Sequence, residues 1–108
     1  MVMKKLIFSF VETIKQKQLI MVTFQMKANN QIVQRKCAPL DLAPSKRTKS
    51  IRFKFHLWDM TNSHVLSLEP NQIMEFEVSG ETFEPESIIN WNTSVTSWCV
   101  QRDWGKLS

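Results

Sequence analysis

From residue 20 onward, apolar residues recur at every second position in one short run after another. This period of two confines most of the chain to half-buried β-strands. Ile20, Val22, Phe24 and Met26 alternate with Met21, Thr23, Gln25 and Lys27. Ile51, Phe53, Phe55 and Leu57 alternate with Arg52, Lys54, His56 and Trp58, and Met74, Phe76 and Val78 alternate with Glu75 and Glu77. Turn chemistry separates the runs. Asn29-Asn30 tolerates positive φ and predicts a two-residue hairpin turn. The return strand, residues 31–38, is expected to close at Pro39, which has no N–H for a ladder. Residues 43–50 form a loop around Pro44, residues 59–63 a turn, and residues 65–68 a short strand stopped by Pro70 and Asn71. Gly80 predicts a turn before Thr82 and Phe83.

The front of the chain has a different period. Met3, Ile7, Phe10, Val11 and Ile14 fall at helical spacing, with Lys4, Lys5, Glu12, Lys15 and Lys17 on other faces. The polar residues 15–18 end this helix without a capping glycine. At the other end, Trp98, Val100, Arg102 and Trp104 alternate, which predicts an edge strand over residues 97–104. The expected fold is therefore mainly β (α+β), a small, strongly bent antiparallel sheet or barrel of about five strands plugged by an N-terminal amphipathic helix. A length of 108 residues suits a single domain, divided into the helix (1–18), the barrel (19–85) and a Trp-rich C-terminal extension (86–108).

Several function classes lose their footing at this level. Only two glycines, Gly80 and Gly105, are present, so no Gly-rich phosphate loop can form, and no nucleophile elbow or poised carboxylate pair is evident. His56, His64, Cys37 and Cys99 are too scattered for a metal-ligand pattern, and the two cysteines read as reduced thiols. We expect no catalytic residues, no metal and no cofactor. The apolar stretch at residues 6–11 is broken by Ser9 and ends at Glu12, far short of the roughly 20 residues a bilayer span needs. It is also too short for a secretory signal, so a cytoplasmic protein without membrane contact is expected.

Charge is segregated beneath a formal net of +4. Residues 27–54 hold eight basic residues and one acid, Asp41, whereas residues 55–88 hold seven acids and no Lys or Arg. These blocks either form two poles or neutralise each other across the sheet. A two-residue turn at Asn29-Asn30 pairs Met26 with Val33, Phe24 with Arg35 and Val22 with Cys37. Arg35 then falls on the apolar face of its hairpin, where it must snorkel, pair internally or reach a ligand. A three-residue turn would send it to solvent. Arg52, Lys54, His56 and Trp58, with Lys46, Arg47 and Lys49 before them, combine cations with a flat aromatic. That composition suits a surface tracking a phosphate backbone while stacking a base, and equally a solvated outer face. Trp91, Trp98 and Trp104 either dock on a protein partner or a second copy, or close the chain's own core.

The order of parts also resembles a known family. Lys17-Gln18-Leu19-Ile20 leads into Val22-Thr23-Phe24. Arg35-Lys36-Cys37-Ala38-Pro39-Leu40 follows the hairpin, a long strand ends near Trp58-Asp59, and Ile73 and Phe83-Glu84-Pro85 come last. Over residues 19–85 this is similar to the WYL domain, a small Sm-like β-barrel of bacterial transcription regulators, with Arg35 and Pro39 matching its arginine and proline. The naming tripeptide is absent, since Arg52-Phe53-Lys54-Phe55 occupies that region, and Asn71-Gln72-Ile73 stands where Asp-Arg-Ile is usual. The resemblance implies a ligand-sensing module without a winged helix-turn-helix of its own. The expected function is non-catalytic binding of single-stranded nucleic acid or an anionic ligand. The alternative is a protein-interaction or scaffold module built on the Trp-rich segment.

Overall fold

The structure is a computed structural model, and it describes residues 3–44, 53–89 and 98–108. Helix α1 (Met3–Gln16) is followed by five strands, β1 (Gln18–Gln25), β2 (Ile32–Pro44), β3 (Phe53–Asp59), β4 (His64–Leu68) and β5 (Ile73–Thr82). A short helix, α2 (Pro85–Ile88), and a 3₁₀ turn at Gly105–Leu107 complete the elements. The strands form one antiparallel sheet in the order β4-β3-β2-β1-β5, the expected fold class of a small α+β protein with an N-terminal helix.

The connection between β4 and β5 dictates the shape. These strands stand at opposite ends of the sheet order, yet only residues 69–72 join them, and Pro70–Gln72 are coiled into a 3₁₀ turn. In a flat sheet, four spacings of about 4.8 Å would separate the outer strands by about 19 Å. Three 3₁₀ residues rise only about 6 Å, so the sheet has to curl until the end of β4 comes near the start of β5. Strand β2 shows how it curls. Residues Ile32 to Cys37 pair with β1, and residues Cys37 to Pro44 pair with β3, so the strand changes neighbour at Cys37. This stagger is how a small sheet bends toward closure.

Period-two burial follows the sequence expectation closely in β1, where Ile20, Val22 and Phe24 are buried, and in β3, where Phe55, Leu57 and Asp59 are. Helix α1 lies across this concave face and buries Leu6, Phe10, Thr13 and Ile14. Its inward stripe is therefore rotated from the expected Met3-Ile7-Phe10-Val11-Ile14 row. Thr13 can turn inward because its hydroxyl donates to the Phe10 carbonyl at 2.7 Å, leaving no buried polar group unmet. Phe10 meets Phe55 edge-to-face with centroids 4.9 Å apart, which joins helix to sheet.

Local expectations fail where the backbone takes an unforeseen conformation. The hairpin turn spans four residues, 27–30, because Met26 N–H donates to the Gln31 carbonyl and Asn30, at φ 59, donates back to Met26. Phe24 thus pairs with Val33, and Val22 with Arg35, instead of Met26 with Val33 and Phe24 with Arg35. The slip keeps the parity, so Arg35 stays on the concave face. Pro39 does not end its strand. β2 runs through it because a register shift between Pro39 and Asp41 accompanies the exchange of neighbours, where a missing ladder donor is tolerated. Gly80, at φ 85, makes a bulge inside β5 rather than a turn, beside the register shift opposite Gln18 to Ile20.

The end of α1 is sharper than its composition suggests. Lys17, at φ 56, occupies the left-handed position that glycine usually takes after a helix, and β1 begins at the next residue. A Cβ is strained in that region, so Lys17→Gly is expected to stabilise the fold by about 0.5–1 kcal/mol, read as a rise in the urea midpoint at unchanged slope.

Candidate functional site

The predicted site residues divide into three groups. Lys46, Arg47, Lys49, Arg52 and Trp91 lie outside the described residues. Arg35, Lys54, His56 and Trp58 lie on β2 and β3, and Trp98 and Trp104 lie in the C-terminal segment.

Arg35 faces an internal carboxylate. Its Nε stands 3.6 Å from Asp59 Oδ2, an ion-pair distance too long for a hydrogen bond, while Nη1 donates to the Gln34 carbonyl at 3.0 Å. The Arg35 side chain keeps 33% of its surface, whereas that of Asp59 keeps 1%. Asp59 obtains its hydrogen bonds from the turn after β3, where the Thr61 and Asn62 N–H groups and the Asn62 amide all donate to it. Burial alone would raise the Asp59 carboxyl, but these donors and the nearby His64 outweigh it and hold the group below its ordinary 3.8. Beneath this pair, Cys37 is fully buried. Desolvation, with Asp59 adding to it, pushes the thiol up to about 12, so Cys37 is inert, and Cys99 is the exposed thiol.

His56 is structural. Its Nε2 stands 3.1 Å from the Ala43 carbonyl, which can only accept, so that nitrogen carries the proton. Nδ1 then accepts from the Ser67 hydroxyl at 2.9 Å. The ring ties β3 to both neighbours, and both its nitrogens are engaged within the fold. Trp58 is half-buried and packs against the core, opposite Ala38 on β2 and Val65 on β4. Lys54, also half-buried, has no carboxylate within ion-pair distance among the described residues.

The tryptophan segment serves the interior. Trp104 is 2% exposed, donates from its indole to the Ile14 carbonyl at 3.0 Å, and meets Phe83 edge-to-face. Trp98 is half-buried and donates to the Leu107 carbonyl. Arg102 lies between them, its guanidinium carbon 4.0 Å from the Trp98 ring centroid and 4.5 Å from that of Trp104. Trp104 is therefore core and Trp98 packs partly buried against it, and the described part of the expected edge strand is irregular backbone held by side chains.

The holding group is Asp41, which the charge pattern did not single out. The Cys99 and Val100 N–H groups donate to its two oxygens at 3.0 and 2.9 Å, and Arg102 Nη2 donates at 3.2 Å. Arg102 also donates to the Leu40 and Val100 carbonyls. Desolvation pulls Arg102 down to about 10 against the attraction of Asp41, and it stays charged at neutral pH. One signal for this node was present in the sequence, an isolated acid between Leu40 and Leu42 in an otherwise basic block.

No group of His, Cys, Asp and Glu fit to hold a metal occurs among the described residues, nor any helix long and apolar enough to cross a membrane. Comparison with protein-family models finds no match, and neither does comparison with curated proteins. Among solved structures, the fold is similar to proteasome accessory factor B/C (PafBC) of Arthrobacter aurescens, with a TM-score of 0.66 and 10% identity. The match covers 82% of this chain and 13% of that one, so the chain spans a small part of its length. At this identity the likeness is one of fold.

Two outcomes follow from this geometry. Asp41→Asn leaves a buried guanidinium without its counter-charge and should cost about 3 kcal/mol, with a red-shifted tryptophan emission as the segment loosens. Asp59, held below its unfolded value, contributes stability above about pH 4 that disappears as the pH falls. Wild type should therefore lose more stability than Asp59→Asn between neutral pH and about pH 2, measured by urea titration.

Proposed function

We propose that this chain is a non-catalytic, WYL-like binding module with a regulatory role, recognising single-stranded nucleic acid or a comparable polyanion through Lys46, Arg47, Lys49, Arg52 and Lys54. The observation that carries this reading is the disposition of carboxylates. Between Pro44 and Phe55 the chain has five cations and no acid. Asp41, the one acid within residues 27–54, is turned onto Arg102 and the C-terminal backbone. Among the described residues, Lys27 is paired with Glu69, Arg35 with Asp59 and Lys36 with Glu81. The acid-free run from residue 46 to 54 is thus the densest part of the basic block, and Asp41, the acid just before it in sequence, is committed to the C-terminal segment. Arg35 and His56 are not among the proposed contacts, because each is occupied within the fold.

The likeness to PafBC supports a regulatory binding module at the level of fold alone. An interface built on the Trp-rich segment is less favoured, because Trp104 is buried and Trp98 packs partly buried against the core.

The test is a fluorescence titration of the full chain with single-stranded oligothymidylate at low and physiological salt. Affinity should fall steeply with salt, with a log-log slope of about 0.7 per phosphate contact. The triple substitution Lys46→Gln, Arg47→Gln, Lys49→Gln should weaken binding about tenfold or more while flattening that slope. No binding at low salt by a folded protein refutes the nucleic-acid reading.

A further inference from the structure

Strand β5 ends the sheet. Among the described residues it pairs with β1 alone, over Ile73–Thr82, and its other edge meets no strand. The register sorts its side chains into two rows. Phe76 and Val78 stand opposite Val22 and Ile20 in the row that faces the core, whereas Glu75 and Glu77 stand opposite Thr23 and Met21 on the outer face. Ile20 is fully buried, yet its neighbour Val78 is 47% exposed, because the apolar row runs out where the sheet stops. Met74, displaced by the register shift near Phe24, is 51% exposed. Neither Glu75 nor Glu77 has a cation within ion-pair distance among the described residues, and Glu81 alone on this strand is matched, by Lys36 at 2.6 Å.

We infer that the free edge of β5 is a docking site for an extended, basic segment of a protein partner, added as a sixth strand. A strand laid on this edge satisfies the open backbone groups. Its alternate side chains must meet two different surfaces. Apolar residues on one face extend the core over Val78 and Met74, and lysine or arginine on the other face lies beside Glu75 and Glu77. The occupant is therefore a segment alternating cationic and apolar residues. This reading and the one built on the cationic run at residues 46–54 do not depend on each other.

The test uses the full chain and a short, end-blocked peptide alternating lysine with valine and threonine, long enough to span β5. Binding is followed by amide hydrogen exchange. The expected result is slowed exchange confined to Ile73–Thr82, with affinity reduced about tenfold by Glu75→Lys with Glu77→Lys, both exposed positions whose exchange leaves the fold intact. Val78→Thr should weaken binding independently of charge. Unchanged exchange in β5, equal binding of the peptide with glutamate in place of lysine, or affinity indifferent to the paired substitution overturns the proposal. Protection of β5 that depends on protein concentration without peptide assigns the edge to a second copy and also overturns it.

Discussion

The sharing of β2 between two neighbours is the constraint on which the rest of this molecule depends. Cys37 is the one residue of that strand paired to both β1 and β3, and everything on either side of it is offset. The offset curls the sheet so that a four-residue link can carry the chain from one edge to the other. It also creates the concave face that α1 fills with Leu6, Phe10 and Ile14. Just beyond the handover, the register shift between Pro39 and Asp41 reverses which residues face outward, and Asp41 comes to stand opposite His56. From there its carboxylate reaches the C-terminal segment.

That segment is docked by a small number of polar contacts inside an aromatic frame. One carboxylate satisfies two backbone N–H groups and a guanidinium, and the guanidinium lies in the angle between two indoles that meet edge-to-face. A buried ion pair of this kind is weak as a source of net stability, since its desolvation offsets most of the attraction. Its effect is positional, because irregular backbone without a ladder needs named acceptors and donors to hold one path. The electrostatics of the whole chain follow the same economy. Basic and acidic blocks that are separate in sequence meet at Lys27–Glu69, Arg35–Asp59 and Lys36–Glu81, while Glu75 and Glu77 on β5 have no cation within ion-pair distance among the described residues.

Periodicity alone identified α1, the strands and the row of Ile20, Val22 and Phe24, because burial of a strand face is written directly into alternate residues. It placed Arg35 on the concave face, though through the wrong partner, since a slip of two residues leaves the parity unchanged. It misjudged Pro39 and Gly80 as terminators, since both residue types also serve bulges within strands. In the C-terminal segment the alternation of Trp98, Val100, Arg102 and Trp104 was real but carried no strand, because the Cys99 and Val100 N–H groups donate to the Asp41 carboxylate, 58 and 59 residues away, instead of to a ladder.

What the sequence determined by itself was the class of fold, the number of strands and the segregation of charge, all properties of residue type and local spacing. Only the tertiary structure decided that Arg35 and His56 are occupied, that Trp98 and Trp104 face inward, and that Asp41 and Arg102 hold the C-terminal segment. Each of those depends on two groups distant in the chain meeting at a few ångströms, and the handover along β2 that brings them together leaves no periodic trace.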